Sequence, residues 1–189
     1  MSLKIIEPFK TKIGIGKLDF DLEYLKEYAE KNKNKYESRQ KSNVGGYQTP
    51  DLPFDNNIIK LFQKILFFAQ EYAKDYKFNN KLYVDNFWIN FNKTSSSNML
   101  HTHPNSQISG VYYIQVPENS GKIKFLRNDD LLEYHFDGKC KEVTLLTNSN
   151  VAFKPEPNMY ILFPSNMKHC VETNNSKFDR ISLSFNLKI

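Results

Sequence analysis

Residues 87–92 read FWINFN and residues 180–186 read RISLSFN. Side chains on a β-strand alternate between its two faces, so the first stretch splits into Phe87, Ile89, Phe91 and Trp88, Asn90, Asn92. The second splits into Ile181, Leu183, Phe185 and Arg180, Ser182, Ser184, Asn186. For either strand alone, a polar row facing water is as good a reading as any. The rows, however, hold amides, hydroxyls and an arginine in place of Lys and Glu, and helices upstream are available to cover the apolar rows. The pattern therefore predicts polar rows that line the mouth of a barrel, forming a pocket for a small charged ligand.

Working outward, short runs rich in Tyr, Phe, Ile and Val alternate with Asn, Ser, Gly and Pro turns from residue 80 onward. The predicted strands are residues 82–92, 108–116, 122–126, 141–147, 151–154, 159–163, 169–173 and 180–188. Upstream, Leu18, Leu22, Leu25 and Ala29 recur at helical spacing. From residue 56 to 77 so do Ile58, Ile59, Phe62, Ile65, Leu66, Ala69, Tyr72 and Ala73, a stripe wide enough to cover a sheet. Between them SNVGGYQTPDLP, residues 42–53, reads as an ordered loop or short strand. The fold expected is mainly β with N-terminal helices: a double-stranded β-helix (jelly-roll) with helices packed on one outer face. A single domain spanning residues 1–189 is expected, with residues 1–80 as helical cover and N-terminal segments and residues 81–189 as jelly-roll core.

The 189-residue chain carries 15 Phe and 11 Tyr, enough apolar bulk for a packed interior without staples. Its +5 formal charge is dispersed from Lys4 to Lys188, with no basic stripe, which argues against nucleic-acid binding. Cys140 and Cys170 lack CxxC spacing, no secretory leader is recognisable, and no apolar run is long enough to span a membrane. These features predict a cytoplasmic protein without a structural disulfide, and a homodimer through the helices is an open option.

Of the four histidines, His101 and His103 form an HxH pair. If both lie on one strand, their imidazoles share a face and converge on one ion. His169, just past FPS, opens another predicted strand where it can return to the same wall. Two surface histidines are the competing reading of the pair. His135, in LEYHFDG, reads as a surface residue. Arg180 lies eleven residues beyond His169; buried in a barrel it needs an anion, and its planar fork suits a carboxylate. A salt bridge to Asp or Glu, or simple exposure, is the alternative.

The combination HTHPNSQISGVYYI, FPSNMKHCV and RISLSFN resembles the 2-oxoglutarate and iron(II)-dependent oxygenases, over roughly residues 85–188. The resemblance implies that His101, His103 and His169 hold iron(II), with His103 where an Asp or Glu is usual. It implies that Arg180 binds the far carboxylate of 2-oxoglutarate, assisted by Ser182 and Tyr113, with Asn90 and Asn92 as further contacts. Replacing a carboxylate by imidazole makes the site one charge more positive. Alternatively, His103 stands behind the metal and water takes its place.

The activity so implied is decarboxylation of 2-oxoglutarate coupled to hydroxylation of a C–H bond, in a dry pocket walled by Trp88, Val111 and Tyr113. The substrate, small or peptidyl, would be selected by loops at residues 93–100 and 126–140. A cupin-like three-His dioxygenase or isomerase that does not use 2-oxoglutarate is a rival, but it leaves Arg180 without a role. A third reading is a non-catalytic jelly-roll used for binding.

Overall fold

The computed structural model describes residues 3–5, 10–127 and 139–189. In chain order the elements are β1 (Gly14–Lys17), α1 (Leu22–Lys35), β2 (Asn43–Val44), β3 (Tyr47–Gln48) and α2 (Asn56–Ala73). They continue with β4 (Tyr83–Asn92), β5 (Ser97–His101), β6 (Ile108–Gln115), β7 (Ile123–Leu126) and β8 (Asn150–Phe153). The last three are β9 (Met159–Pro164), β10 (His169–Val171) and β11 (Arg180–Lys188). They form a six-stranded sheet in the order β1-β9-β6-β11-β4-β3 and a five-stranded sheet in the order β2-β5-β10-β7-β8. Every pairing between strands is antiparallel. This is the double-stranded β-helix, with its sheets face to face.

Both helices start at aspartate caps. Asp21 accepts a hydrogen bond from Tyr24 N–H, and Asp55 accepts from Asn57 and Ile58 N–H, satisfying amides that have no partner in a first turn. The first helix therefore begins at Leu22, four residues later than the periodicity suggests, because Leu18 N–H donates to the Asn158 carbonyl instead. The buried face of α2, with Ile58, Leu61, Phe62, Ile65, Ala69 and Ala73, lies against the larger sheet. There Phe62 meets Phe87 at 5.2 Å and Phe185 at 5.5 Å between ring centroids. The apolar rows of FWINFN and RISLSFN belong to this cluster. Each such side chain removed from water contributes about 1.5–3 kcal/mol. Ile59, expected in the stripe, is instead 41% exposed.

Burying one row under helices turns the other into the space between the sheets. The register fixes its rungs: Arg180 faces Asn92, Ser182 faces Asn90, Ser184 faces Trp88 and Asn186 faces Asn86. On the other side of β11, Ser182 faces Tyr113 and Ser184 faces Val111. A second apolar cluster, which includes Val111, Tyr113, Phe125, Ile161 and Phe163, fills part of the same interior.

One expected strand is corrected. Residues 141–147 form no strand: Thr144 and Thr147 close a local turn on each other, Val143, Leu145 and Leu146 are exposed, and hydroxyl-to-backbone bonds replace a ladder. Besides the helices, the first 80 residues supply short edge strands: β1 and β3 are edges of one sheet and β2 is an edge of the other. The SNVGGYQ segment, whose two short strands join different sheets, thereby clips the sheets together along one side. At Gly46 an added Cβ would stand 2.9 Å from the Phe91 carbonyl, so the close approach needs glycine. No helix among the described residues is long and apolar enough to cross a membrane. His135 and most of the 126–140 segment lie outside the described residues.

Candidate active site

β5 and β10 are neighbours in the smaller sheet, and His101 stands directly opposite His169 across that pair. The shared-strand argument for the HxH pair is corrected here: β5 ends at His101, so His103 lies beyond it. His103 reaches the same point through the following turn, anchored by its backbone N–H donating to the Ser165 carbonyl at 2.8 Å. The three imidazoles nonetheless converge, with one ligand nitrogen from each lying within 4.8 Å of the others.

The ring nitrogens are not equivalent. Nδ1 of His101 lies 2.7 Å from the Met99 carbonyl, and Nδ1 of His169 lies 2.9 Å from the Met167 carbonyl. A carbonyl only accepts, so each Nδ1 carries the proton and each Nε2 keeps its lone pair for an ion. His103 has no such carbonyl partner among the bonds described. Its ring packs against Trp88, 5.6 Å between centroids, and its Nε2 stands 3.2 Å from His169 Nε2. Two imidazole nitrogens bound to one ion at about 2.1 Å, with 90–110° between them, stand ~3.0–3.4 Å apart. The donor set therefore fits a first-row metal ion.

Burial favours the neutral rings. It lowers the pKa of His101 and pushes His103 down to about 4 and His169 to about 3, with the neighbouring imidazoles adding to the effect in the last two. At neutral pH all three lone pairs are free for coordination.

A cavity of about 630 Å³ runs from the histidines along the inner row of the larger sheet. Every residue singled out from the sequence lines it: His101, His103, His169, Arg180, Ser182, Tyr113, Asn90 and Asn92, together with Trp88 and Val111. Arg180 is 2% exposed, which removes the surface alternative. Its NH1 donates to the Ser120 carbonyl at 2.7 Å and the Gly121 carbonyl at 3.2 Å. No carboxylate pairs with it among the described residues, so the salt-bridge alternative fails there too. Burial lowers the Arg180 pKa, and the same desolvation pushes the Tyr113 hydroxyl up to about 12 against the opposing pull of the guanidinium. A buried cation held only by carbonyls, beside a protonated phenol, is a receptor for an anion.

The amides are partly committed. Asn90 donates to Ser184 Oγ at 3.0 Å, and Asn92 donates to Asn98 at 2.9 Å, tying one sheet to the other. Asn86, Asn98, Met99 and Leu100 also line the cavity; the sequence pattern leaves Asn86 out and puts the other three in a substrate-selecting loop at residues 93–100. The alternation that exposed Asn90 reaches Asn86 two steps earlier on the strand predicted at 82–92, so that signal was present. Asn98, Met99 and Leu100 lie in β5, which its polar KTSSSN lead disguised as a loop.

Fold and site together define a double-stranded β-helix protein with three imidazoles and an anion-receptive arginine in one cavity. The chain belongs to the 2-oxoglutarate and iron(II)-dependent oxygenases: the family model described as "Putative 2OG-Fe(II) oxygenase" matches residues 86–186. A search of curated proteins finds no match.

Solved structures similar in fold include a viral collagen prolyl hydroxylase from Paramecium Bursaria Chlorella virus-1, in complex with 2-oxoglutarate. It is 15% identical, with a TM-score of 0.60 over 93% of this chain and 96% of that one. A Pseudomonas putida prolyl-4-hydroxylase is 11% identical, with a TM-score of 0.64 over 94% and 92% of the two chains. The α-ketoglutarate-dependent epimerase SnoN of nogalamycin biosynthesis is 15% identical, with a TM-score of 0.69 over 93% and 78%.

Proposed function

We propose that His101, His103 and His169 are the iron ligands of this oxygenase and that Arg180 anchors the far carboxylate of 2-oxoglutarate. The observation that carries the reading is a fully buried guanidinium with no carboxylate partner among the described residues, on the inner row that leads to three convergent imidazoles. When bound, iron(II) with 2-oxoglutarate and dioxygen would supply the oxidising chemistry by which the cosubstrate becomes succinate and carbon dioxide, one oxygen atom entering succinate and the other a substrate C–H bond.

The chain's own residues do the rest. His101 and His169 present Nε2 because their Nδ1 protons are held by the Met99 and Met167 carbonyls. Arg180 binds one end of the diacid and is itself oriented by the Ser120 and Gly121 carbonyls. Ser182 and Tyr113, opposite each other on β11 and β6, supply hydroxyl donors beside it, and Asn90 and Asn92 border the same end. Tyr113 keeps its proton at neutral pH, so it donates to a carboxylate.

A ligand set without a carboxylate leaves the ion's full double charge in the cavity. A dianionic cosubstrate offsets that charge, so metal and 2-oxoglutarate should bind with positive coupling. The rival that dispenses with 2-oxoglutarate gives the Arg180 cation nothing to meet.

The test is succinate release from 2-oxoglutarate by the iron-loaded protein, alongside metal analysis of wild type and His169→Ala. Retained metal with no 2-oxoglutarate binding would overturn the cosubstrate role. Absence of metal in wild type would overturn the ligand assignment. The free thiols of Cys140 and Cys170 support a reducing, cytoplasmic setting, which subcellular fractionation would check.

A further inference from the structure

The inner row of β11 runs from Arg180 to Asn186, six residue steps or about 20 Å of strand. His103 stands against its third rung, where Trp88 faces Ser184 and packs on the imidazole. A five-carbon diacid that starts at Arg180 and ends at the histidines cannot reach the last rung, Asn86 and Asn186. That end of the cavity faces the substrate.

Its chemistry is specific. Ser109 donates to Asn186 Oδ1 at 2.8 Å, Asn186 Nδ2 donates to Asn86 Oδ1 at 2.9 Å, and Asn86 Nδ2 donates to Asp51 at 3.2 Å. Each amide thus spends one N–H and one carbonyl lone pair, and it keeps one of each. The β11–β4 ladder shifts register immediately after Asn186, and irregularities of this kind re-aim side chains beside binding sites.

The remaining charges lining the cavity are one of each sign. Apart from Arg180 and the histidines, Lys41 and Asp51 are the charged residues among those lining the cavity, and Asp51 already accepts from Asn86. With one charge of each sign, the lining gives neither an anionic nor a cationic substrate a net electrostatic preference. Met99 and Leu100, 55% and 51% exposed on the strand leading into His101, add an apolar rim.

We infer that Asn86 and Asn186 read an uncharged carboxamide on the substrate, as a paired donor and acceptor, with an apolar group of the substrate on Met99 and Leu100. This rests on the assignment of the histidines and Arg180 above. The amide belongs either to a small molecule or to a peptide.

The experiment loads the protein with Mn(II) and 2-oxoglutarate and measures paramagnetic broadening of ligand proton signals. The probes are N-acetyl-leucinamide, its anionic analogue N-acetyl-leucine and its cationic analogue leucinamide, with a blocked Leu-containing tetrapeptide as the peptidyl arm. N-acetyl-leucinamide should be broadened at least tenfold more than either charged analogue. Asn86→Asp, which places a second carboxylate beside Asp51, should shift the preference to leucinamide. A larger effect for the tetrapeptide identifies a peptidyl source, and a smaller one a small molecule.

Equal broadening by charged and uncharged probes, broadening of none, or an unchanged preference in Asn86→Asp overturns the inference. If Asn86→Asp fails to fold, Asn86→Ser should erase the preference for the uncharged probe, and retention of that preference overturns it. Broadening of 2-oxoglutarate itself is the internal control. Its absence counts against the assignment of Arg180 and the histidines, whereas its presence with no amide preference counts against the carboxamide alone.

Discussion

The Arg180→Met substitution is expected to weaken 2-oxoglutarate binding at least ~30-fold while leaving the fold about as stable as before. Removing one partner of a buried, hydrogen-bonded charge pair costs about 2–5 kcal/mol of binding, which corresponds to roughly 30- to several-thousand-fold in Kd. Folding has a different balance. The Arg180 bonds to the Ser120 and Gly121 carbonyls are lost, at about 1.5–3 kcal/mol each for a charged donor. Against this, the protein no longer buries a guanidinium that is 2% exposed and unpaired with any described carboxylate, a penalty of several kcal/mol. Methionine keeps much of the side-chain length. The two contributions offset to within about 2 kcal/mol, or no more than roughly 8 °C in Tm for a chain this size.

The assay is calorimetric titration of 2-oxoglutarate into anaerobic, Mn(II)-loaded protein, with thermal melts in parallel. Wild type at a hundred times Kd should gain about 2.7 kcal/mol of stability, and the variant at the same concentration much less. A variant that binds within threefold of wild type would refute the anchor role. One that collapses without ligand would show that Arg180 serves the fold.

Three further outcomes follow from the site and its frame. His103→Ala should retain metal at least ~10-fold better than His101→Ala or His169→Ala, because only the latter two rings are fixed by bonds from Nδ1; equal losses by metal titration would contradict this. The metal-free protein should lose stability as pH falls from about 6.5 toward 4, since burial holds His103 near 4 and His169 near 3 whereas the unfolded chain takes up protons near 6.5. The slope approaches ~1.4 kcal/mol per pH unit for each ring, and denaturant melts that superimpose at pH 7 and 5 would exclude it. Gly110→Ala should destabilise by about 1–3 kcal/mol, because a Cβ there runs into the Phe185 ring and stands 3.0 Å from the Ile161 carbonyl; an unchanged melting temperature would show that the ring can yield.

The sequence by itself determined the two-faced strands and most of the cavity wall. Alternation has a fixed period of two, so once helices cover Phe87, Ile89 and Phe91, the row of Trp88, Asn90 and Asn92 has to face the other way. Arg180 and Ser182 follow by the same rule, and the apolar stripe of α2 names its own cover. What local pattern could not supply was the partner of each segment. β5 was hidden because its alternation is weak and its first residues are polar; pairing with β10 makes it a strand. Residues 141–147 look like a strand but close a turn, since hydroxyls of Thr144 and Thr147 satisfy the backbone where no ladder partner is present among the described residues.

Tertiary structure alone decided how the histidines meet. His101 and His169 are 68 residues apart in sequence and face each other only because β5 and β10 pair in that register. His103 joins them not through strand periodicity but through a backbone bond to Ser165 at the end of β9. Alternation is local and legible along one chain segment, whereas convergence depends on contacts between segments distant in sequence.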